Sequence, residues 1–258
     1  MDSRSAFPMK EKIVLSGIHK SFGSKVILSG LDFSVNEGEI LCVIGKSGTG
    51  KSVTLKLLVG ILAPERGEIF VDGMSYTGAS APQRAAIESK YGILFQGAAL
   101  FDSMNIYDNV AFGLRRKAAS EDEIARAVPE LLELVGLRGI EKKIPSELSG
   151  GMQKRVGLAR AIALQPEIML YDEPTTGVDP ITGGAVDRLI MKMRSVYKIT
   201  SVVVTHDIKS ACRIADRVIM IYEGRVIFTG DPDALMRSSD PIVRQFVEGK
   251  ADGPIKVI

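Results

Sequence analysis

The chain carries two kinds of apolar pattern, and the changes from one to the other mark out its organisation. Residues 13–18 and 26–35 are β-rich and punctuated by Gly23 and Gly30, which predicts two strands. Residues 40–44 are apolar at every position, as in a strand buried on both faces. Leu55, Leu58 and Leu62 then recur at helical spacing and predict a helix over 51–62. Residues 64–67 read as a turn, 68–71 as a short strand ending at Asp72-Gly73, and 91–95 as a strand ending at Gln96. From Gly97 to about Gln165 helical patterns replace strands, chiefly over 121–135 and 151–164. Pro129 inside the first of these predicts a kink or a restart. Alternation then resumes: a strand at 168–171, a helix at 182–196, a strand at 201–205, a helix at 208–215, and a hairpin of 217–222 and 225–229 around Glu223-Gly224. Such alternation implies a mainly parallel sheet with helices on both faces.

Four sites and two weaker signals, Gln96 and Phe22, bring chemistry to this frame. Gly45-Lys46-Ser47-Gly48-Thr49-Gly50-Lys51-Ser52 lies between the buried strand and the amphipathic helix and is a complete phosphate-binding loop. Its glycines let backbone N–H groups wrap phosphates, Lys51 supplies a cation to the β and γ phosphates, and Ser52 offers a hydroxyl to Mg²⁺. The strand at 168–171 carries Asp172 to its C-terminal edge, where open α/β sheets place ligands and where a carboxylate can hold Mg²⁺ through water. Glu173 follows and can polarise the water that attacks the γ-phosphate. Leu148-Ser149-Gly150-Gly151-Met152-Gln153 opens a helix and offers free N–H groups as a second anion site. His206 ends a core strand beside the expected γ-phosphate position. Gln96 ends another at the border of the helical segment, where its amide can reach Mg²⁺ or the attacking water. Phe22 has loop-type neighbours in Ser21 and Gly23, so it suits an adenine-stacking platform or a core position equally; His19 has no such context and reads as structural or exposed.

Bulk properties narrow the setting. The 258 residues fit one large domain or a domain with an inserted lobe, and a net charge of +2 makes no electrostatic case for nucleic acid. The two cysteines, Cys42 and Cys212, are far apart and suggest neither zinc nor a disulfide, as expected in a reducing cytoplasm. Residues 1–10 read as a loose leader without a signal peptide's apolar run, and no stretch approaches the roughly 18 apolar residues of a membrane span. Work at a membrane would therefore go through a partner that spans it.

The ordered series of motifs resembles the ATP-binding cassette (ABC) transporter ATPases over nearly the whole chain. The resemblance makes 45–52 the Walker A loop, Gln96 the Q-loop, 148–153 the signature, Asp172-Glu173 the Walker B end with its catalytic glutamate, Gly177-Val178-Asp179 the D-loop and His206 the H-loop. Phe22 falls where the family places its adenine-stacking aromatic, usually Tyr. The implied fold is α/β: a P-loop NTPase (RecA-like) core with an antiparallel β subdomain over 1–96 and 166–240, an inserted α-helical subdomain over 97–165, and a tail over 241–258. The implied cofactors are ATP and Mg²⁺. The implied unit is a head-to-tail homodimer in which Leu148, Ser149, Gly150, Gly151 and Gln153 close on nucleotide held by the partner and Asp179 links the two sites.

The stretch Leu94-Phe95-Gln96-Gly97-Ala98-Ala99-Leu100-Phe101-Asp102-Ser103-Met104-Asn105-Ile106-Tyr107-Asp108-Asn109-Val110, the segment Pro145-Ser146-Glu147-Leu148-Ser149-Gly150-Gly151-Met152 and the tail around Val243-Arg244-Gln245-Phe246-Val247-Glu248-Gly249 are similar to the Mla/Mce phospholipid-transport ATPases, the MlaF-like proteins. Departures from the family are small: Ala98 before Ala99-Leu100, Val178 where Leu is commoner, and Phe22 for Tyr. This narrower resemblance implies an ATPase on the cytoplasmic face of a Gram-negative-type inner membrane, bound to a permease that carries an MCE-domain protein, with a small STAS-domain protein as a further partner. Competing readings are the ATPase of a small-solute importer and a division-type regulatory ATPase that transports nothing. A non-hydrolysing scaffold is disfavoured by intact Lys51, Asp172, Glu173 and His206.

Overall fold

A computed structural model describes residues 10–256, so the expected leader lies outside the described residues apart from Lys10. The chain opens with two long antiparallel strands, β1 (Glu11–Phe22) and β2 (Lys25–Asn36), joined at Gly23-Ser24. β1 runs well past the expected 13–18, because shifts in register after Leu15, Ile18 and Lys20 keep the pairing intact where the polar/apolar alternation breaks, while β2 matches the expected 26–35 to within one residue at each end. β3 (Ile40–Ile44) then enters the phosphate loop, and α1 (Lys51–Leu58) leaves it. The helix stops short of the expected Leu62. Gly60 turns the chain with φ +73°, and a Cβ there would sit 1.7 Å from the Tyr76 hydroxyl.

β4 (Arg66–Val71) and the two-residue β5 (Met74–Ser75) complete a four-stranded antiparallel sheet in the order β2-β1-β4-β5. After α2 (Ala81–Glu88) and β6 (Tyr91–Leu94) come three helices, α3 (Ile106–Arg116), α4 (Glu121–Leu134) and α5 (Gly150–Ile162). α4 runs unbroken through Pro129, so the helix does not restart there. Pro129 and Ala125 are both exposed, so the carbonyl that loses its helical donor lies on the solvent side of the helix. Ser120 and Glu123 box the helix start.

The second half supplies β7 (Ile168–Asp172), α6 (Pro180–Tyr197), β8 (Thr200–Val204), α7 (Ile208–Ile214), β9 (Arg217–Tyr222), β10 (Arg225–Gly230), α8 (Pro232–Met236) and α9 (Pro241–Glu248). A six-stranded sheet runs β10-β9-β3-β8-β7-β6, parallel except for the β9–β10 hairpin. Both faces of its central strands are covered, which accounts for their continuous apolar runs. On β3, Ile40, Cys42 and Ile44 join the core shared with the helices, while Leu41 and Val43 join the core shared with the antiparallel sheet and α1. β7 divides in the same way, with Met169 and Tyr171 on the first side and Ile168 and Leu170 on the second. The layering brings the C-terminal ends of β3, β7 and β8 together at one edge of the sheet. Among the described residues no helix is long and apolar enough to cross a membrane.

Candidate functional site

At that edge the glycine-rich loop closes on its own lysine. Gly45 leaves β3 with φ +149°, and a Cβ there would lie 2.4 Å from the Ile221 carbonyl oxygen, so only glycine fits between the loop and β9. Gly50, at φ +101°, starts α1, whose first turn carries no acidic side chain and presents free N–H groups. Lys51 is 6% exposed, and its Nζ donates to the carbonyls of Gly45 (2.7 Å) and Lys46 (3.0 Å). Thr49 Oγ1 also donates to the Lys46 carbonyl, at 2.9 Å. Ser47 and Gly48 are exposed at the rim, while Lys46 Nζ donates to the Lys256 carbonyl at 2.7 Å.

Ser52 Oγ donates to Asp172 Oδ1 at 3.0 Å, which brings two of the expected metal-site residues together across helix α1 and strand β7. Burial pushes the Asp172 carboxyl above its ordinary range despite the Ser52 hydrogen bond. Burial likewise pulls the Lys51 ammonium below its ordinary range, opposed by Glu173 and Asp172. Hydroxyl and carboxylate oxygens are the donor set of a hard cation such as Mg²⁺. Among the described residues no group of three or more His, Cys, Asp or Glu could hold a metal ion.

Glu173 takes the first step off β7 with φ +50°, a left-handed conformation that costs a non-glycine residue about 1–3 kcal/mol. The turn is held firmly. Its N–H donates to the Val204 carbonyl at 2.9 Å, and Oε2 accepts from Thr176 Oγ1 at 3.0 Å and lies 2.8 Å from His206 Nδ1. Glu173 and His206, expected from separate segments, are thus one pair, with the glutamate buried and the imidazole exposed.

The second glycine segment also takes the expected form. Ser149 caps α5 and accepts from the Met152 N–H, at the long distance of 3.3 Å. Ser149 and Gly150 are exposed and Leu148 is buried. A Cβ on Gly151 would meet Thr182 Cγ2 at 2.3 Å, so this end of α5 packs on the start of α6. Asp179 caps α6: its carboxylate accepts from the N–H groups of Ile181 and Thr182 and from Thr182 Oγ1, and these bonds hold its pKa below the ordinary range. Gln153 points back into its own lobe, its amide donating to the carbonyls of Pro145 (2.9 Å) and Leu148 (3.3 Å). It supports the turn before the signature rather than the helix N-terminus itself.

Gln96 is exposed just after β6. Phe22 is 49% exposed at the tip of β1, with Lys20 Nζ 5.5 Å from its ring centre, which removes the core alternative for it. His19 is half-buried in β1, its Nδ1 2.9 Å from the Gly17 carbonyl.

Two basic residues of α5 escape sequence reasoning. Lys154 is 6% exposed and donates to the carbonyls of Glu173 (3.1 Å), Pro174 (3.0 Å) and Thr176. Arg160 donates to the carbonyls of Ala99 (2.8 Å) and Ala98 (3.1 Å), two residues just past Gln96 with φ near +50° to +60°. The available signal is weak: Lys154 lies between Gly151 and Leu158 on a helix face that is otherwise buried. Arg160→Lys is expected to lose the planar two-carbonyl grip and about 1.5 kcal/mol of local stability. Amide hydrogen exchange at Ala98 and Ala99 should then accelerate about tenfold, and unchanged exchange would show that the loop holds without Arg160.

Comparison with known proteins agrees with this geometry. The sequence profile described as ABC transporter matches residues 28–176. The chain is similar to the probable ribonucleotide transport ATP-binding protein Mkl of Mycobacterium tuberculosis, 45% identical over 98% of this chain and 71% of that protein. It is similar to the intermembrane phospholipid transport system ATP-binding protein MlaF of Escherichia coli K12, 41% identical over 90% of this chain and 87% of that protein. Its fold is similar to the dimeric post-hydrolysis structure of the ATP-binding cassette MJ0796 bound to ADP and Pi, with a TM-score of 0.78 and 31% identity over 85% of this chain and 98% of that one. The chain therefore belongs to the ABC transporter family, as one of its ATP-binding, ATP-hydrolysing cassettes.

Proposed function

We propose that this cassette drives phospholipid transport at a bacterial inner membrane, working from the cytoplasmic face as a head-to-tail homodimer on a membrane permease. The observation that carries the hydrolytic part is the meeting, at one sheet edge, of the phosphate loop, the Ser52–Asp172 contact and the Glu173–His206 pair. In this reading the N–H groups of residues 45–52 and the Lys51 ammonium hold the β and γ phosphates, and Phe22 offers its exposed ring to adenine. Ser52 and Asp172, with Gln96 beside them, hold Mg²⁺, which neutralises phosphate charge when bound. Glu173 accepts a proton from water as its oxygen attacks the γ-phosphorus and ADP leaves. His206 and Thr176 keep that carboxylate aimed. Leu148, Ser149, Gly150 and Gly151 present the N-terminus of α5 to nucleotide held by the second subunit, with Gln153 bracing the turn before it, and Asp179 stands at the start of α6 where the two sites would communicate.

The lipid part rests on the Leu94–Val110 segment and on the name of the E. coli relative. An MCE-domain protein and a small STAS-domain protein are the further partners this reading calls for; nucleic acid is not. A second reading, transport of a ribonucleotide-type solute, has support from the name of the mycobacterial relative. The two separate on one experiment: tagging the chain, extracting its complex from membranes in mild detergent, and identifying proteins and lipids by mass spectrometry. Co-purification of a permease with an MCE-domain protein and bound phospholipid is the expected result. A solute-importer permease without lipid, or division proteins alone, would overturn the lipid assignment and leave the ATPase intact.

A further inference from the structure

Helix α5 reaches the hydrolytic turn from inside the same subunit through one buried cation. We infer that Lys154 is a positioning residue for Glu173: its ammonium clamps the carbonyls of Glu173, Pro174 and Thr176 and so holds the left-handed turn that aims the carboxylate. This inference rests on the reading of Glu173 as the hydrolytic base.

Three features of the site support it. The Glu173 backbone adopts a conformation that glutamate does not favour unaided, at φ +50°. The carbonyl of that residue and two others within the next three converge on one Nζ, and among the described residues Lys154 forms no ion pair with a carboxylate within 4 Å, so its three hydrogen bonds all go to backbone. Those partners lie in the first half of the link from β7 to α6, and Lys154 lies on the same helix that Ser149 caps. A shift of α5 would therefore carry the Glu173 turn with it, whereas a merely space-filling side chain at this position would leave the turn to its own hydrogen bonds.

The test uses the full chain in its membrane complex. Lys154→Met keeps length and removes charge and donors, while Lys154→Gln keeps two amide donors. ATP affinity is read with a fluorescent ATP analogue, which is convenient because the chain has no tryptophan. Lys154→Met is expected to lower kcat about thirtyfold with KM and nucleotide affinity within twofold of the parent, and Lys154→Gln to recover most of the loss. In single-turnover assays on a Glu173→Gln background, Lys154→Met should add less than a twofold effect, because it acts through a carboxylate already removed. A kcat within twofold of the parent for both variants, losses that multiply with Glu173→Gln, or a lowered melting temperature with normal kcat per nucleotide-binding site would each overturn the inference. Should Glu173→Gln itself turn over normally, the base assignment fails and takes this inference with it; should Glu173→Gln be crippled while both Lys154 variants are normal, only the role of Lys154 falls. If Lys154→Met does not fold, Lys154→Leu, which also removes charge and donors, takes its place under the same criteria.

Discussion

Glu173→Gln is expected to lower ATP turnover by about a thousandfold, within the range that a positioned general base contributes, while ATP binding stays within about twofold. The substitution is conservative in shape. A carboxamide oxygen can still accept from Thr176 Oγ1 and, at 2.8 Å, still meet His206 Nδ1, so the turn should persist. What disappears is basicity, because a carboxamide cannot take the proton that attacking water must release. The loss therefore belongs in kcat rather than in nucleotide affinity. If the head-to-tail dimer reading holds, the variant also accumulates as an ATP-bound dimer, visible by light scattering on a sizing column. Turnover within twofold of the parent would remove Glu173 from its assigned role and leave its strained turn without a functional account.

The large elements and the motifs were legible in the sequence for the same physical reason: each is a contiguous segment with its own signature. Strands buried on both faces read as unbroken apolar runs, and β3, β7 and β8 fell within a residue or two of expectation. The phosphate loop and the signature carry glycines at positions where a Cβ would collide, as at Gly45 and Gly151. Short surface elements were not legible. α2 and α8 bury only Ile87 and Leu235 respectively, too little to set a period. α2 nonetheless carries a legible start in Ser80 and Gln83, whose side chain returns to the Ser80 N–H. The end of α1 was misplaced because Leu62 keeps helical spacing although Gly60 has already turned the chain. Lys154 and Arg160 were missed for a deeper reason. Both bind backbone carbonyls, and a carbonyl is present at every residue, so no pattern of side chains marks the partner.

Lys51→Ala is expected to act on the other half of the problem, weakening ATP binding about a hundredfold. A hydrogen bond to a charged group contributes about 1.5–3 kcal/mol, and Lys51 can supply more than one such bond to phosphate oxygens. Its surroundings enlarge the effect. Asp172 and Glu173 both stand close enough to raise the lysine's proton affinity against the burial that lowers it. Without the ammonium those carboxylates face the incoming phosphates uncompensated, so the variant loses an attraction and gains a repulsion. Stability should change little, because the Lys51 hydrogen bonds are confined to the carbonyls of Gly45 and Lys46 in its own loop. Lys51→Arg should recover only part of the affinity: the wider guanidinium replaces a compact ammonium at a 6% exposed position between those two carbonyls. Titration with a fluorescent ATP analogue, run beside a thermal melt, checks both halves of the expectation. Unchanged affinity at an unchanged melting temperature would mean that phosphate is held by the loop's N–H groups and the α1 terminus alone. A contrast between this variant and Glu173→Gln, one failing in affinity and the other in turnover, would separate holding the γ-phosphate from cleaving it.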